Sequence, residues 1–528
     1  MTRHPSSNDE RRIQPVVIDC DFKIKHKLVT WLTISAIFLI MLISANLSLN
    51  NVFSSTNSSN STDSGNSSIV SNPETTGLNH ENSTTRNGSL NDVTNDGLSL
   101  ENGIRNIILL IGDGMGDSEI TMARNYEVGA DGKLVMDTLP FTGAVTTYSV
   151  EENDSSVPYY VTDSAAAGTA WATGNKTSNG RISSTPSTDL DLKTILELAQ
   201  ESGLGTGIVT TAELTDATPA VLASHISNRD CQGPTDPEMN SFCTQDKKLN
   251  GGPGSIAEQM IDHDVDILFG GGKQRFDQVI ESGNQSNQTV VDSAISQGYS
   301  VITTAAELEN VTYLQSSGIN GTNATKILGL FAQGNMNMSW KGEPALTYPG
   351  SGPQVCQENQ KPQQEPSLTN MTAKAIGILD EKSRSNDKGF FLQIEVASID
   401  KRAHDAEPCE QIGETIAFDN AVKEALEFAA SNPETLVIVT ADHAHTPQII
   451  PMPEEPEHPG YFSTLVTKEG ANMTINYATS PLGESLYDQD HTGSQVRIAA
   501  QGPNAQNVLG VIDQTDLFNI MKTALFGG

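Results

Sequence analysis

The stretch NIILLIGDGMGD, Asn106–Asp117, decides how the chain is read. An apolar run, Asn106–Gly112, stops at Asp113 and a glycine-rich turn. From Ile104 onward the chain alternates short apolar runs with longer mixed stretches, the rhythm of an α/β domain with a largely parallel sheet. Three further runs behave alike. Thr206–Thr211 (TGIVTT) leads into Asp216 and Thr218, Phe390–Ile394 (FFLQI) ends at Glu395, and Leu436–Ala441 (LVIVTA) ends at Asp442 and His443. Ligands of open α/β sheets sit beyond the carboxyl ends of the strands. Four runs that each end in metal-ligating residue types therefore predict one shared site.

Each element alone has a plainer explanation. An Asp after a strand is commonly a turn residue or a helix cap. His404 and His443 taken singly read as surface histidines. The combination carries more. Asp400 and His404 are four apart in SIDKRAH, so a helical turn would put them on one face. Asp442 and His443 offer a carboxylate and an imidazole side by side, and His491 opens HTGSQ after a polar loop. Imidazole with carboxylate suits zinc, whereas Asp, Glu and Thr oxygens together suit magnesium. Ser164, in TDSAAAGTAWATG, is the candidate nucleophile. The alanine-rich stretch after it is helix-prone and would place the hydroxyl at a helix N-terminus, where backbone N–H groups favour an anion. An N-cap role for Asp163 or Ser164 explains the same residue types. No GxSxG elbow surrounds Ser164, so its proton needs another route, and coordination to zinc is one.

The chain has 528 residues, 36% of them hydrophobic, and 65 acidic against 31 basic residues give a formal net charge of -34. That balance argues against nucleic acid as a partner. Any anionic substrate must then be held by a local positive centre, a metal or a placed arginine. Of the cysteines, Cys20 stands apart. The other four allow three pairings, and nearest neighbours, Cys231 with Cys243 and Cys356 with Cys409, are the expected ones.

Residues 28–49 (LVTWLTISAIFLIMLISANLSL) carry no charge and are long enough to span a bilayer as a helix. Lys23, Lys25 and Lys27 flank the segment, so residues 1–27 are expected in the cytoplasm and everything after residue 49 outside. The alternative is a signal peptide cleaved near Ala45 and a secreted product. Residues 50–103, rich in Ser and Asn, cannot bury enough apolar surface to fold and read as a tether. Asn-x-Ser/Thr sites at Asn57, Asn60, Asn66, Asn82 and Asn87 continue at Asn284, Asn287, Asn310, Asn320, Asn323, Asn370 and Asn472, which points to glycosylation if the host performs it. The catalytic domain is expected over 104–528.

The motifs IGDGMGDSEIT, YVTDSAAAGTAWATG, TAELTDATPA, GFFLQIEVASIDKRAH, VTADHAH and HTGSQ, in that order, resemble alkaline phosphatase, the enteric bacterial form above all. The resemblance runs from about Asn106 to the C-terminus. It implies a three-layer α/β sandwich with a large, mostly parallel central sheet, and two Zn²⁺ and one Mg²⁺ per chain. One zinc would be bound by Asp400, His404 and His491, the second by Asp113, Asp442 and His443. Magnesium would be bound by Asp113, Thr218 and Glu395. Ser164 would be the nucleophile and Arg229 the phosphate clamp. Asp216 and Lys401 match a pair sharing waters with magnesium and phosphate, and His445 would support a zinc ligand from behind. A homodimer acting on small phosphate monoesters and releasing inorganic phosphate is implied too, although the arm that helps the family dimerise is replaced here by the anchor and tether. Ala167-Gly168 and Arg402-Ala403 depart from the enteric pattern, which has Ser-Ala and Gln-Asp; Arg402 would add positive charge near the mouth. A sulfatase would need a C/S-x-P-x-R context, and Ser164 is followed by three alanines. A binding module that had lost its chemistry would lack Ser164, Arg229 or a ligand, and all are present.

Overall fold

Asn106–Gly112 is a strand buried at every residue, as an uninterrupted apolar run must be when both faces of a parallel sheet are covered. It is β1 of a ten-stranded sheet completed by β2 (Phe141–Thr146), β3 (Gly205–Glu213), β4 (Ile267–Gly271), β5 (Tyr299–Ile302), β6 (Lys326–Leu330), β7 (Phe390–Val396), β8 (Thr435–Ala441), β9 (Val496–Gln501) and β10 (Gly510–Asp513). The spatial order is β10-β2-β9-β8-β1-β7-β3-β4-β6-β5. Only β9 runs against its neighbours; the other pairings are parallel. The computed structural model describes residues 104–312, 326–453, 458–480 and 488–527. The expected cytoplasmic tail, anchor and tether, with Cys20, lie outside the described residues. Among the described residues no helix is long and apolar enough to cross a membrane. Asn284, Asn287, Asn310, Asn370 and Asn472 are all exposed.

Helices cover both faces of the sheet. The ones used below are α1 (Asp117–Glu127), α2 (Ser164–Thr173), α3 (Ile195–Glu201), α4 (Ala217–Ala223), α5 (Ile256–Asp262), α6 (Leu368–Asn386), α7 (Ser398–His404), α8 (Pro408–Ser431) and α9 (Gln514–Phe526). α1, α6 and α8 pack together in one layer, and α2, α3, α4 and α9 in the other. This is the expected three-layer arrangement. α2 is buried at every residue, which is why its sequence is apolar and small all round rather than on one stripe. Gly168 lets it lie against α4, since a Cβ there would come within 2.8 Å of the Val221 side chain.

Two features differ from the sequence reading. β7 runs on through Glu395 to Val396, so Glu395 lies inside the strand, opposite Ile111 and Thr210, rather than after it. A second, four-stranded sheet, 351–354, 461–466, 472–477 and 448–450 in spatial order, has no counterpart in the expectations. Disulfides join Cys231 to Cys243 and Cys356 to Cys409, the nearest-neighbour pairing. Closing the Cys231–Cys243 loop, 12 residues in span, stabilises the fold by about 3 kcal/mol.

Candidate active site

Register puts the site together. Gly112 pairs with both Val396 and Ala441, so three neighbouring strands end at one level. Asp113 and Asp442 follow those ends directly and Glu395 lies one residue before. The Gly114 N–H donates to Asp442 Oδ1 at 2.9 Å. Gly114 adopts φ +68°, and a Cβ there would meet Asp400 Cα at 2.9 Å. The turn after β1 therefore needs glycine both for its conformation and for the approach of α7.

The imidazoles converge on these carboxylates. Asp400 and His404 share a face of α7, with His404 Nε2 3.4 Å from Asp400 Oδ1. His491 Nε2 reaches the same oxygen at 3.2 Å and is 3.1 Å from His404 Nε2. The Nδ1 atoms of both rings face backbone carbonyls, of Gln489 for His404 and of Thr162 for His491. Nδ1–H donation to those oxygens leaves each Nε2 lone pair directed inward. His443 Nε2 lies 3.4 Å from Asp113 Oδ1 and 3.2 Å from Asp442 Oδ2. His445 behaves differently. Its Nδ1 accepts from the Thr446 N–H at 2.9 Å, so Nε2 carries the hydrogen, and that edge faces Asp400 Oδ1 at 3.4 Å.

Ser164 is the first residue of α2 and is 2% exposed. Its Oγ is 3.5 Å from Asp113 Oδ1 and 3.4 Å from His443 Nε2. Asp163 is the N-cap, its Oδ1 accepting from the Ala166 N–H at 2.9 Å. The capping and nucleophile explanations thus fall on adjacent residues and do not compete. Asp163 does more than cap. Its Oδ2 accepts from the Gly180 N–H at 2.9 Å and from Arg229 Nη1 at 3.2 Å. That second role was not foreseen, because nothing in the sequence ties residue 163 to residue 229. Arg229 Nη2 donates to Asp216 Oδ1 at 2.9 Å, and Lys401 Nζ to Asp216 Oδ2 at 2.7 Å. One carboxylate therefore holds both cations, and they keep its pKa below the usual range although burial opposes this.

Glu395 Oε2 accepts from Thr210 Oγ1 at 2.5 Å. Gln393, buried two residues earlier on β7, accepts from Trp171 Nε1 at 3.2 Å and donates to the Thr218 carbonyl at 2.8 Å. It ties α2 and α4 to the strand, fixing Ser164 and Thr218 relative to Glu395. Arg402 departs from expectation. It pairs with Asp405 at 3.0 Å and Glu407 at 2.8 Å, so its charge is compensated locally rather than offered to the mouth.

The donor set fits divalent cations. Thr218 Oγ1, Asp400 Oδ1 and Asp442 Oδ2 are buried without a hydrogen-bond partner, a costly state for polar atoms and above all for carboxylate oxygens. Burial, then Asp442 and Asp400, push the Asp113 carboxyl well above its ordinary range. Burial, then Asp216, push Glu395 up to about 8. Asp400 is opposed by burial too, yet His404 and His491 hold it well below. Asp400, His404 and His491 are N/O donors of zinc type, as are Asp113, Asp442 and His443. Asp113, Thr218 and Glu395 are all-oxygen.

With the constellation in place, comparison with known proteins is decisive: the alkaline phosphatase family model matches residues 104–485 and 480–526. The chain belongs to the alkaline phosphatase family. Alkaline phosphatase of Escherichia coli strain K12 is 47% identical over 426 residues, 80% of this chain and 86% of that protein. Streptomycin-6-phosphate phosphatase of Streptomyces griseus is 46% identical over 426 residues, 80% of this chain and 90% of that protein. Among solved structures, alkaline phosphatase from the Antarctic bacterium TAB5 aligns with TM-score 0.57 at 23% identity, covering 80% of this chain and 99% of that one. The Thermus thermophilus enzyme aligns with TM-score 0.58 at 22% identity, covering 81% and 93%. These last two share the fold. As a member of this family the chain is a phosphomonoesterase, and the family is metal dependent.

Proposed function

We propose that the chain hydrolyses phosphate monoesters through a phosphoserine at Ser164, outside the cytoplasm, releasing phosphate for uptake. The observation that carries this is the position of Ser164 Oγ at the start of α2, between Asp113 and His443, beside the cap residue that holds Arg229. Asp400, His404 and His491 would hold one Zn²⁺, Asp113, Asp442 and His443 a second, and Asp113, Thr218 and Glu395 a Mg²⁺. When bound, such cations neutralise phosphate and alkoxide charge and lower the pKa of a hydroxyl. Ser164 Oγ attacks phosphorus in line, the ester P–O bond breaks, and the alcohol leaves with a proton. Water then attacks the phosphoserine, phosphate departs, and Ser164 regains its proton. Arg229, oriented by Asp163 and Asp216, offers its planar fork to two non-bridging oxygens. Lys401, steered by Asp216, adds positive charge beside them. None of these groups reads the alcohol, so the substrate range is broad, a phosphorylated aminoglycoside included.

Assaying an aryl phosphate, the matching diester and the matching sulfate side by side checks the reaction class. The monoester is expected to be cleaved with by far the highest kcat/KM; a diester or sulfate ester cleaved as well would refute the assignment. For location, residues 28–49 act as an uncleaved anchor in this reading, and the catalytic domains pair as homodimers. The full chain is then expected to sediment with membranes and to resist extraction by alkaline carbonate. Free product beginning near residue 46 would instead establish signal cleavage and secretion.

A further inference from the structure

Outside the catalytic cluster, a second group of metal-ligating side chains comes together from three separate elements. Glu197 lies in α3, His225 follows α4 and His263 caps the end of α5. His225 Nε2 and His263 Nε2 each lie 3.5 Å from one oxygen, Glu197 Oε1, and the three atoms are all within 4.8 Å of one another. The rings are already oriented. His225 Nδ1 is 2.9 Å from the Ser183 carbonyl, and His263 Nδ1 is 2.9 Å from the Gln259 carbonyl. Donation there places the hydrogen on Nδ1 and the lone pair on Nε2, the arrangement found behind metal-bound histidines. The carboxylate is fixed too, because Glu197 Oε2 accepts from the Thr194 N–H at 2.7 Å, leaving Oε1 to face the rings. His225 is held on its backbone by Gln259, which accepts from the His225 N–H at 2.8 Å and donates to its carbonyl at 2.9 Å.

A plain ion pair explains this less well. Charge-assisted N–H to carboxylate bonds run at about 2.7–2.9 Å, and both separations here are 3.5 Å. That length is close to the edge of a tetrahedron, about 3.4 Å, for ligands about 2.1 Å from a zinc ion. The same spacing occurs where His404 and His491 face Asp400, at 3.4 and 3.2 Å. The group opens on a cavity of about 520 Å³, which Asp191 and Asp262 also line. Lys193 lines it as well but is paired with Glu201, and Asp262 is paired with Lys248, so it is the Asp191 carboxylate that favours a cation, and the cavity leaves room for water at a fourth position.

We propose that Glu197, His225 and His263 bind a divalent transition-metal ion, zinc by ligand type, at a site separate from the catalytic cluster. The ion would tie α3, the exit of α4 and the end of α5. The middle tie lies on the segment that leads to Arg229, whose N–H donates to the Gly180 carbonyl at 2.7 Å. Its role is to stiffen that segment, and it takes no part in bond breaking.

Equilibrium dialysis of the holoenzyme against zinc, at a level that keeps the catalytic ions saturated, tests the site by zinc counted per chain. His263→Ala sits at a partly exposed helix end, and Glu197→Gln keeps an oxygen for the Thr194 N–H. Each is expected to hold one zinc ion fewer per chain than the parent, with turnover of an aryl phosphate retained as the sign of an intact fold. Added zinc should raise the melting temperature of the parent by more than that of either variant, which keeps only the catalytic cradles. Zinc counts equal to the parent in either variant would overturn the assignment and leave the cluster as an ion pair.

Discussion

Replacing Ser164 with alanine is expected to lower turnover of a phosphate monoester by about 10³-fold or more, with the fold and metal content nearly unchanged. The fold should survive because the hydroxyl is not what starts α2. Asp163 caps the helix through Ala166, and alanine is the best residue for a helix interior. The hydroxyl's own contacts, at 3.5 and 3.4 Å, are too long to contribute much as hydrogen bonds. What disappears is the atom that attacks phosphorus. Acid quenching during turnover of labelled substrate should trap label on the parent protein at Ser164 and none on the variant. A variant that kept most of its activity at saturating substrate would remove Ser164 from the nucleophile's position.

Much of this was legible because of one geometric fact. Strands covered on both faces read as uninterrupted apolar runs, and parallel register sets their ends level. Asp113, Glu395 and Asp442 could therefore be grouped without knowing the strand order, and the spacing of Asp400 and His404 gave the fourth wall. The order itself, with β9 reversed beside β8, was not legible, since short apolar strands do not encode their neighbours. Nor was the double role of Asp163. An N-cap aspartate looks the same whether or not its second oxygen holds an arginine 66 positions away. The same applies to His225 and His263. Each is a lone histidine in sequence, and only the packing of α3, α4 and α5 brings them onto Glu197. Arg402 was misjudged for a local reason, because Asp405 and Glu407, three and five residues on, neutralise it.

Removing divalent cations with a chelator is expected to cost several kcal/mol of transition-state stabilisation, about 10³-fold or more in rate, and to lower the melting temperature as well. The buried charges argue for both effects. Asp113, Asp400 and Asp442 lie together beyond the carboxyl ends of the central strands with almost no exposure, and the nearest fixed cations, Arg229 and Lys401, are already engaged with Asp216. Without bound cations the carboxylates repel one another and leave Thr218 Oγ1, Asp400 Oδ1 and Asp442 Oδ2 unpartnered. Bound ions stabilise the native chain by mass action, because the unfolded chain offers no preformed cradle. Recovery should also discriminate among ions. Two of the three cradles contain imidazole and one is all-oxygen, so zinc with magnesium is expected to restore more activity than zinc alone. We propose that Asp216 and Lys401, paired at 2.7 Å, set that preference for magnesium. Full recovery with magnesium alone would contradict two nitrogen-containing cradles. Recovery with zinc alone equal to that with both ions would remove the oxygen cradle from the catalytic scheme.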